Sequence, residues 1–243
     1  MNTHSASEAQ NKFPIFETYM CDISCIFFAA RQLRPSEVAG RRILEVGSYD
    51  VNGSIRRIWE TWEPTEYVGV DIISGPGVDI VCSSDDIVTK FGENRFDIVV
   101  STEMLEHARN WRVAISNIKR ICKCGGVILI TTRSFGGPYH SWPYDFWRYE
   151  KHDMKAIFSD YEILVLESDT NDPGVFLKAR KPIDFRERDL SQYELYNIVS
   201  GRRCIDISPR DYRTMRYLLL RSSVTLKRTL KPAIRRLFGR LGI

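Results

Sequence analysis

Apolar positions recur at helical spacing near the start of the chain and then gather into short runs. Ile15, Tyr19, Ile23, Ile26, Phe27, Ala30 and Leu33 fall on one face of a helix between Phe13 and Leu33. The spacing predicts a helix laid on a core; a membrane or partner helix would use the same face. Residues 1–12 are polar and predict a loose terminus. After residue 40, strands and helices alternate. The runs "RRILEVG", "EYVGVDI", "GVDIVCS", "FDIVVST" and "VILITT" read as strands, and "YEILVLES" and "GVFLKARKP" as two more. Between them, "GSIRRIWETW" (with Ser54 as its cap), "NWRVAISNIKRIC" and "KHDMKAIFSD" read as helices, and "KCGG" as a turn.

This alternation predicts an α/β fold, a largely parallel sheet with helices on both faces. Only "DTNDP" joins the last two strands, too little for a crossover helix, so they should pair antiparallel. Beyond Pro182, "LSQYELYNIVSGRR" and "SPRDYRTMRYLLLRSSVTLKRTL" read as amphipathic helices, and Pro232 opens a last short one. The pattern divides the chain into an N-terminal tail and helix (1–40), an α/β domain (41–182) and a helical extension (183–243).

Charge adds what the pattern does not show. The 243 residues carry a formal charge of +4, with 43% hydrophobic and 27% charged positions, an ordinary balance for a chain with a core. Yet residues 202–243 hold 12 Lys/Arg against 2 Asp/Glu, and the remainder holds 23 against 29. A mildly acidic body carries a strongly basic tail. In that tail Leu226, Leu230, Ile234, Leu237, Phe238 and Leu241 form an apolar stripe, flanked by Lys227, Arg228, Lys231, Arg235, Arg236 and Arg240. Such a helix suits an anionic membrane surface. Docking on the domain or a homodimer contact is the alternative; nucleic acid is disfavoured, because no RNA-binding module stands elsewhere. Six cysteines without zinc-site spacing, no secretory signal and no apolar run of ~20 residues predict reduced thiols in a cytoplasmic protein, at most peripheral on the cytoplasmic membrane face.

The stretch "ILEVGSYDVNGS", residues 43–54, raises the chemical question. In open α/β sheets ligands bind at the carboxyl ends of the strands. Gly47 ends the first strand and Asp71 the second, 24 residues on, where a carboxylate can accept hydrogen bonds from both hydroxyls of a ribose. A dinucleotide loop would need glycines where Tyr49 and Asn52 stand, and no Gly-Lys-Ser/Thr follows for a triphosphate. What remains is a nucleoside without phosphates, and S-adenosylmethionine (SAM) fits that description.

The pieces "ILEVGSYDVNG", "YVGVDI", "FDIVVSTEMLEHARN" and "IKRICKCGGVILITT" together resemble the class I SAM-dependent methyltransferases, and the last two resemble the methyltransferase-11 type family. The similarity covers about residues 41–180. It implies a Rossmann-like seven-stranded sheet whose last strand is antiparallel. It also implies roles: Glu45, Gly47, Ser48 and Tyr49 around the methionine part, Asp71 on the ribose, and Ile72 against the adenine. Ser84 or Asp85 would reach the adenine amine, and Ser101 and Thr102 would sit beside the sulfonium. The chain departs from the family at Tyr49 and Val51, where further glycines are usual; Gly53 restores backbone freedom in a longer turn. Local readings compete: Glu45 as a hydrogen-bond acceptor, Asp71 as a turn former, Asp85 as a helix cap.

The segment "GGPYHSWPYDFWRYEKHD", residues 136–153, crowds aromatics, His, Asp and Arg into a loop over the strand ends. Tyr139, Trp142, Tyr144, Asp145 and Arg148 are the candidate acceptor-binding residues, although Asp145 and Arg148 could equally pair with each other, and Trp142, Phe146 and Trp147 could wedge the loop onto the core. A hydroxyl acceptor must lose a proton, and a neutral imidazole suits that task. Of four histidines, His140 and His107 are the candidate bases; for His107 a structural bond is the alternative. No metal-ligand spacing is evident and no metal is expected. The expected acceptor is a small molecule or glycan, a sugar hydroxyl first, with lipid linkage if the tail meets a membrane. A quinone or other metabolite, a non-catalytic SAM-binding scaffold and an NAD-dependent oxidoreductase are the competing readings.

Overall fold

The central strand shows why this chain forms a sheet at all. In β1 (Arg42–Val46) every residue after Arg42 is buried, so the strand lies between two covered faces. β2 (Glu66–Asp71) and β4 (Phe96–Thr102) flank it in parallel, β3 (Ile80–Val81) pairs with β2 and β5 (Cys122–Arg133) with β4, also in parallel, and β7 (Glu162–Ser168) and β8 (Gly174–Arg180) complete the sheet. The computed structural model describes residues 23–51, 53–140 and 144–226. The strand order is β3-β2-β1-β4-β5-β8-β7, with β8 antiparallel to both neighbours, as the short "DTNDP" connection requires. The class I topology expected from the resemblance is therefore present.

Alternation along the strands builds two cores. Ile43, Ile98, Val100, Leu129 and Phe176 face one side, where α1 (Ile23–Gln32) adds Cys25, Phe28 and Ala29 and the short α2 (Pro35–Val38) adds Val38. The described part of the N-terminal helix is thus a core helix, not an unattached one; residues 13–22 lie outside the described residues. Leu44, Val46, Val99, Ile128 and Ile130 face the other side, beneath α4 (Ile87–Phe91), α5 (Trp111–Ile121) and α6 (Lys151–Ile157). In α5, Trp111, Ala114, Ile115, Ile118 and Ile121 keep the three-and-four spacing of a buried stripe.

Three local expectations change. "KCGG" lies within β5 rather than between elements. Between the pairs Phe96–Cys122 and Ile98–Val127, four residues of β5 stand against one of β4, so the extra residues bulge out, with Gly125 at φ +77°. The helix after Ser54 is short, α3 (Arg56–Trp59), and Ser54 Oγ accepts the Arg56 N–H at 3.0 Å although Ile55 holds the cap position. The "LYNIVSGRR" stretch is not helical. β9 (Leu195–Asn197) and β10 (Arg202–Cys204) form a hairpin that pairs with β6 (Trp147–Arg148). Leu195, Tyr196, Ile198 and Val199 fit a helical stripe as well as a strand, and tertiary partners decided. Buried Asn197 donates to the Phe146 carbonyl at 2.8 Å, the Ile198 N–H does the same at 2.8 Å, and Gly201 closes the turn at φ +73°. A helix does follow, over residues 215–226, preceded by a 3-10 turn Asp211–Arg213. The basic tail beyond it, residues 227–243, lies outside the described residues.

Candidate active site

The turn after β1 is tight because the residues facing it have no side chains. Gly47 ends β1 at φ +81°, and a Cβ there would stand 2.6 Å from the Met104 side chain. The N–H groups of Gly47 and Ser48 both donate to the Val70 carbonyl, at 2.9 and 3.0 Å. Tyr49 turns its ring onto Gly75, where a Cβ would come within 2.0 Å of it. A Cβ on Gly69 would meet the Gly77 carbonyl at 2.1 Å, and one on Gly77 the Ser48 carbonyl at 2.4 Å. The glycines that the turn lacks at Tyr49 and Val51 thus have counterparts across from it, in β2 and the following loop. Gly53, at φ +121°, donates to Asp50 Oδ1 at 2.7 Å, so the longer turn does use its freedom.

Asp71 closes β2 with its carboxylate toward this turn. It accepts the Tyr49 and Ile73 N–H groups, each at 3.3 Å, long bonds that leave acceptor capacity on both oxygens. Ile72 beside it is 60% exposed, an apolar surface at the strand's carboxyl end. Glu45 is buried in β1; its carboxylate accepts the Tyr67 hydroxyl at 2.9 Å and the Ser54 hydroxyl at 3.2 Å. Burial pushes its pKa up to about 7 in spite of those bonds. After β3, Asp85 accepts the Asn110 side-chain amide at 2.9 Å, and Asn117 holds the carbonyls of Ser84 and Asp85. Asp86, not Asp85, precedes α4. Ser101 is fully buried and Thr102 half-buried at the end of β4. The hydroxyls of Ser48 and Ser101 are buried without a partner, an uncommon state that a bound polar ligand would relieve. Two orphaned hydroxyls, a strand-end carboxylate with spare acceptor capacity and an exposed isoleucine supply the polar and apolar contacts that a nucleoside such as SAM needs.

The chain beyond Thr102 carries two acids that the sequence did not single out. Glu103 takes φ +52°, costly for a residue with a side chain, and its N–H donates to the Thr131 carbonyl at 2.9 Å. Its buried carboxylate pairs with Arg133; burial first, and then the nearby Glu106 charge, push its pKa up to about 8. Glu106 lies in the 3-10 turn Leu105–His107, fully buried. Its Oε2 accepts the Thr132 hydroxyl at 2.8 Å, while Oε1 has no hydrogen-bond partner. Two acids three apart directly after a strand were the available signal; the left-handed backbone and the burial were not.

His107 and His140, 33 residues apart in sequence, come together. Their Nε2 atoms are 3.3 Å apart and the rings meet edge to face. His107 Nδ1 bonds to the Tyr144 carbonyl. His140 Nδ1 lies 3.0 Å from Asp145 Oδ2 and 3.2 Å from the Pro138 carbonyl. Burial opposes charge on His140, but Asp145 outweighs it and raises the pKa. Asp145 and Arg148 are both buried and joined by two bonds, 2.6 and 3.0 Å, and Arg148 spends its other N–H groups on the carbonyls of Gly137, Pro138 and Trp147. The two residues are paired, as the structural alternative for them expected. His140 and Arg148 hold the Asp145 pKa well below its usual range against the effect of burial. Phe146 and Trp147 do wedge the loop onto the core. Tyr139 is buried, Tyr144 is 57% exposed, and Trp142 lies outside the described residues.

No curated protein matches the chain. Among solved structures, the Burkholderia thailandensis 1,6-didemethyltoxoflavin-N1-methyltransferase, bound to its substrate and S-adenosylhomocysteine, is similar with TM-score 0.54 and 14% identity, over 65% of this chain and 78% of that one. The [4+2]-cyclase SpnF is similar with TM-score 0.52 and 16% identity, over 65% and 80%. The YcgJ protein from Bacillus subtilis is similar with TM-score 0.50 and 12% identity, over 66% and 99%. At such identities the likeness is one of fold. Residues 24–161, more than half of the chain, match the methyltransferase-23 domain family. Taken with the sheet order, that match places the protein in this family, as a SAM-dependent methyltransferase of class I.

Proposed function

We propose that the protein methylates an oxygen acceptor, a hydroxyl on a small molecule or glycan, with a sugar hydroxyl first. The observation that carries this reading is the Glu106–His107–His140 corner. An amine acceptor can arrive with its lone pair free, whereas a hydroxyl must be relieved of a proton. The corner lies a few residues beyond Met104, whose side chain packs against Gly47. Tyr144, half-exposed and bonded through its carbonyl to His107, offers an aromatic face for a sugar ring. The basic tail, facing an anionic membrane, would suit a lipid-linked glycan; among the described residues no helix is long and apolar enough to cross a membrane.

Bound SAM supplies an electrophilic methyl group. Asp71 holds the ribose, Ile72 covers the adenine, and Ser84 or Asp85 reaches its amine. Glu45 and the turn from Gly47 to Tyr49 cradle the amino-acid end, and Ser101 and Thr102 flank the sulfonium. Aligning acceptor oxygen, methyl and sulfur supplies most of the acceleration, up to ~7–11 kcal/mol.

Transfer of isotope-labelled methyl from SAM to panels of free sugars, glycolipids, quinols and amines tests the reading. Label on a sugar hydroxyl is the expected result. Label on nitrogen or on a quinol overturns the acceptor class. Binding of SAM without turnover on any panel would favour the scaffold reading.

A further inference from the structure

The two imidazoles at the corner have their tautomers dictated by their neighbours. His107 Nδ1 faces the Tyr144 carbonyl, which can only accept, so Nδ1 carries the hydrogen. His140 Nδ1 faces the Asp145 carboxylate and the Pro138 carbonyl, both acceptors again. In the neutral rings both Nε2 atoms therefore present bare lone pairs, and they do so to each other across 3.3 Å. Glu106 Oε1, fully buried and without a hydrogen-bond partner, lies 3.9 Å from His107 Nε2. These three donor atoms lie within 4.8 Å of one another. Three lone-pair donors converging on one point repel unless something positive sits among them.

We propose that Glu106, His107 and His140 form a binding site for a divalent transition-metal cation. No ligand spacing along the chain announces such a site, and no metal was expected; tertiary folding assembles it. Ligand atoms about 2.0–2.1 Å from a tetrahedral cation stand roughly 3.3 Å apart, which is the separation of the two nitrogens; the carboxylate, 3.9 Å from one nitrogen and within 4.8 Å of the other, must close in on both by a side-chain rotation. Two imidazoles and one carboxylate select zinc, iron, cobalt or manganese over the alkaline earths, which prefer all-oxygen sites. The outer partners are those that metal-bound histidines use: a carboxylate behind one ring and a backbone carbonyl behind the other. Thr132 fixes the far oxygen of Glu106 and leaves the near one to the cation. Three protein ligands leave positions open for oxygens of an acceptor. The site deepens the hydroxyl-acceptor reading of the same corner and replaces its base. The imidazoles serve as ligands; an acceptor hydroxyl bound to the cation is acidified and gives its proton to solvent water, and its oxygen then takes the methyl as the sulfur–methyl bond breaks and S-adenosylhomocysteine leaves.

The probe is Co2+ added to the full chain after removal of bound metal with a chelator. Visible ligand-field absorption that saturates at stoichiometric Co2+ and is displaced by Zn2+ is the expected result. Glu106→Gln and His140→Ala should abolish it while SAM still binds, which certifies the fold of the variants. Should either variant fail to fold, nitrogen NMR of the wild type answers alone: Zn2+ must shift the Nε2 resonances of two histidines. Absorption absent from the wild type, absorption unchanged in variants that bind SAM, or unmoved Nε2 resonances overturn the proposal and leave a shared proton between the rings. Full methyl transfer after chelation overturns the catalytic part of the proposal. Cobalt binding without oxygen methylation would sink the acceptor reading and spare the site.

Discussion

Glu45→Gln isolates one ionisation in the middle of the sheet. Glu45 is 2% exposed, and its carboxyl titrates at about 7 in the fold against 4.5 in the free chain. Between those values the folded state holds a proton that the unfolded state has lost, so stability falls as pH rises through the window. The slope is about 1.4 kcal/mol per pH unit, and the 2.5-unit gap amounts to roughly 3 kcal/mol by the time pH passes 7. Glutamine mimics the protonated acid and keeps an acceptor for Tyr67 and Ser54, so the variant should lack this loss. Urea unfolding of both proteins at a series of pH values reads the difference directly, because all other titrating groups cancel. The variant should match the wild type near pH 4.5 and exceed it by about 3 kcal/mol above pH 7. Curves that stay parallel across the window would show that burial does not hold Glu45 protonated, and the electrostatic account of β1 would fall.

Asp71→Ala should weaken SAM binding by ~2–3 kcal/mol through loss of two ribose hydrogen bonds; unchanged affinity by calorimetry would remove Asp71 from the site. Gly75→Ala should cost ~1–3 kcal/mol by driving a methyl into the Tyr49 ring, and Tyr49→Ala should recover much of it; additive losses in thermal unfolding would mean that the two do not touch. Asp145→Asn leaves Arg148 buried without its counter-charge and should cost ~3–5 kcal/mol of stability, and a loss under ~1 kcal/mol would show the pair to be incidental. Deletion of residues 227–243 should release the protein from anionic vesicles with SAM affinity intact, and binding that survives the deletion would refute the membrane role of the tail.

Periodicity determined the seven strands of the main sheet, the antiparallel pairing of β7 and β8, and the burial of α1, because burying a strand or helix face imposes a spacing that survives in the sequence. The strand-end positions of Gly47 and Asp71 followed from those spacings and needed no contact information. Contacts between distant segments left no such trace. The β9–β10 hairpin read as a helix, since its apolar residues suit either period and only β6 decided between them. Tyr49 looked too bulky for its turn until Gly75 appeared beneath its ring. Asp145 and Arg148 read equally as a pair or as acceptor contacts; the tertiary structure shows them paired, with the donors of Arg148 turned inward. The meeting of His107 with His140 across 33 residues was the tertiary structure's alone to decide, because two side chains drawn together from separate loops have no period, and their spacing is set by how those loops pack.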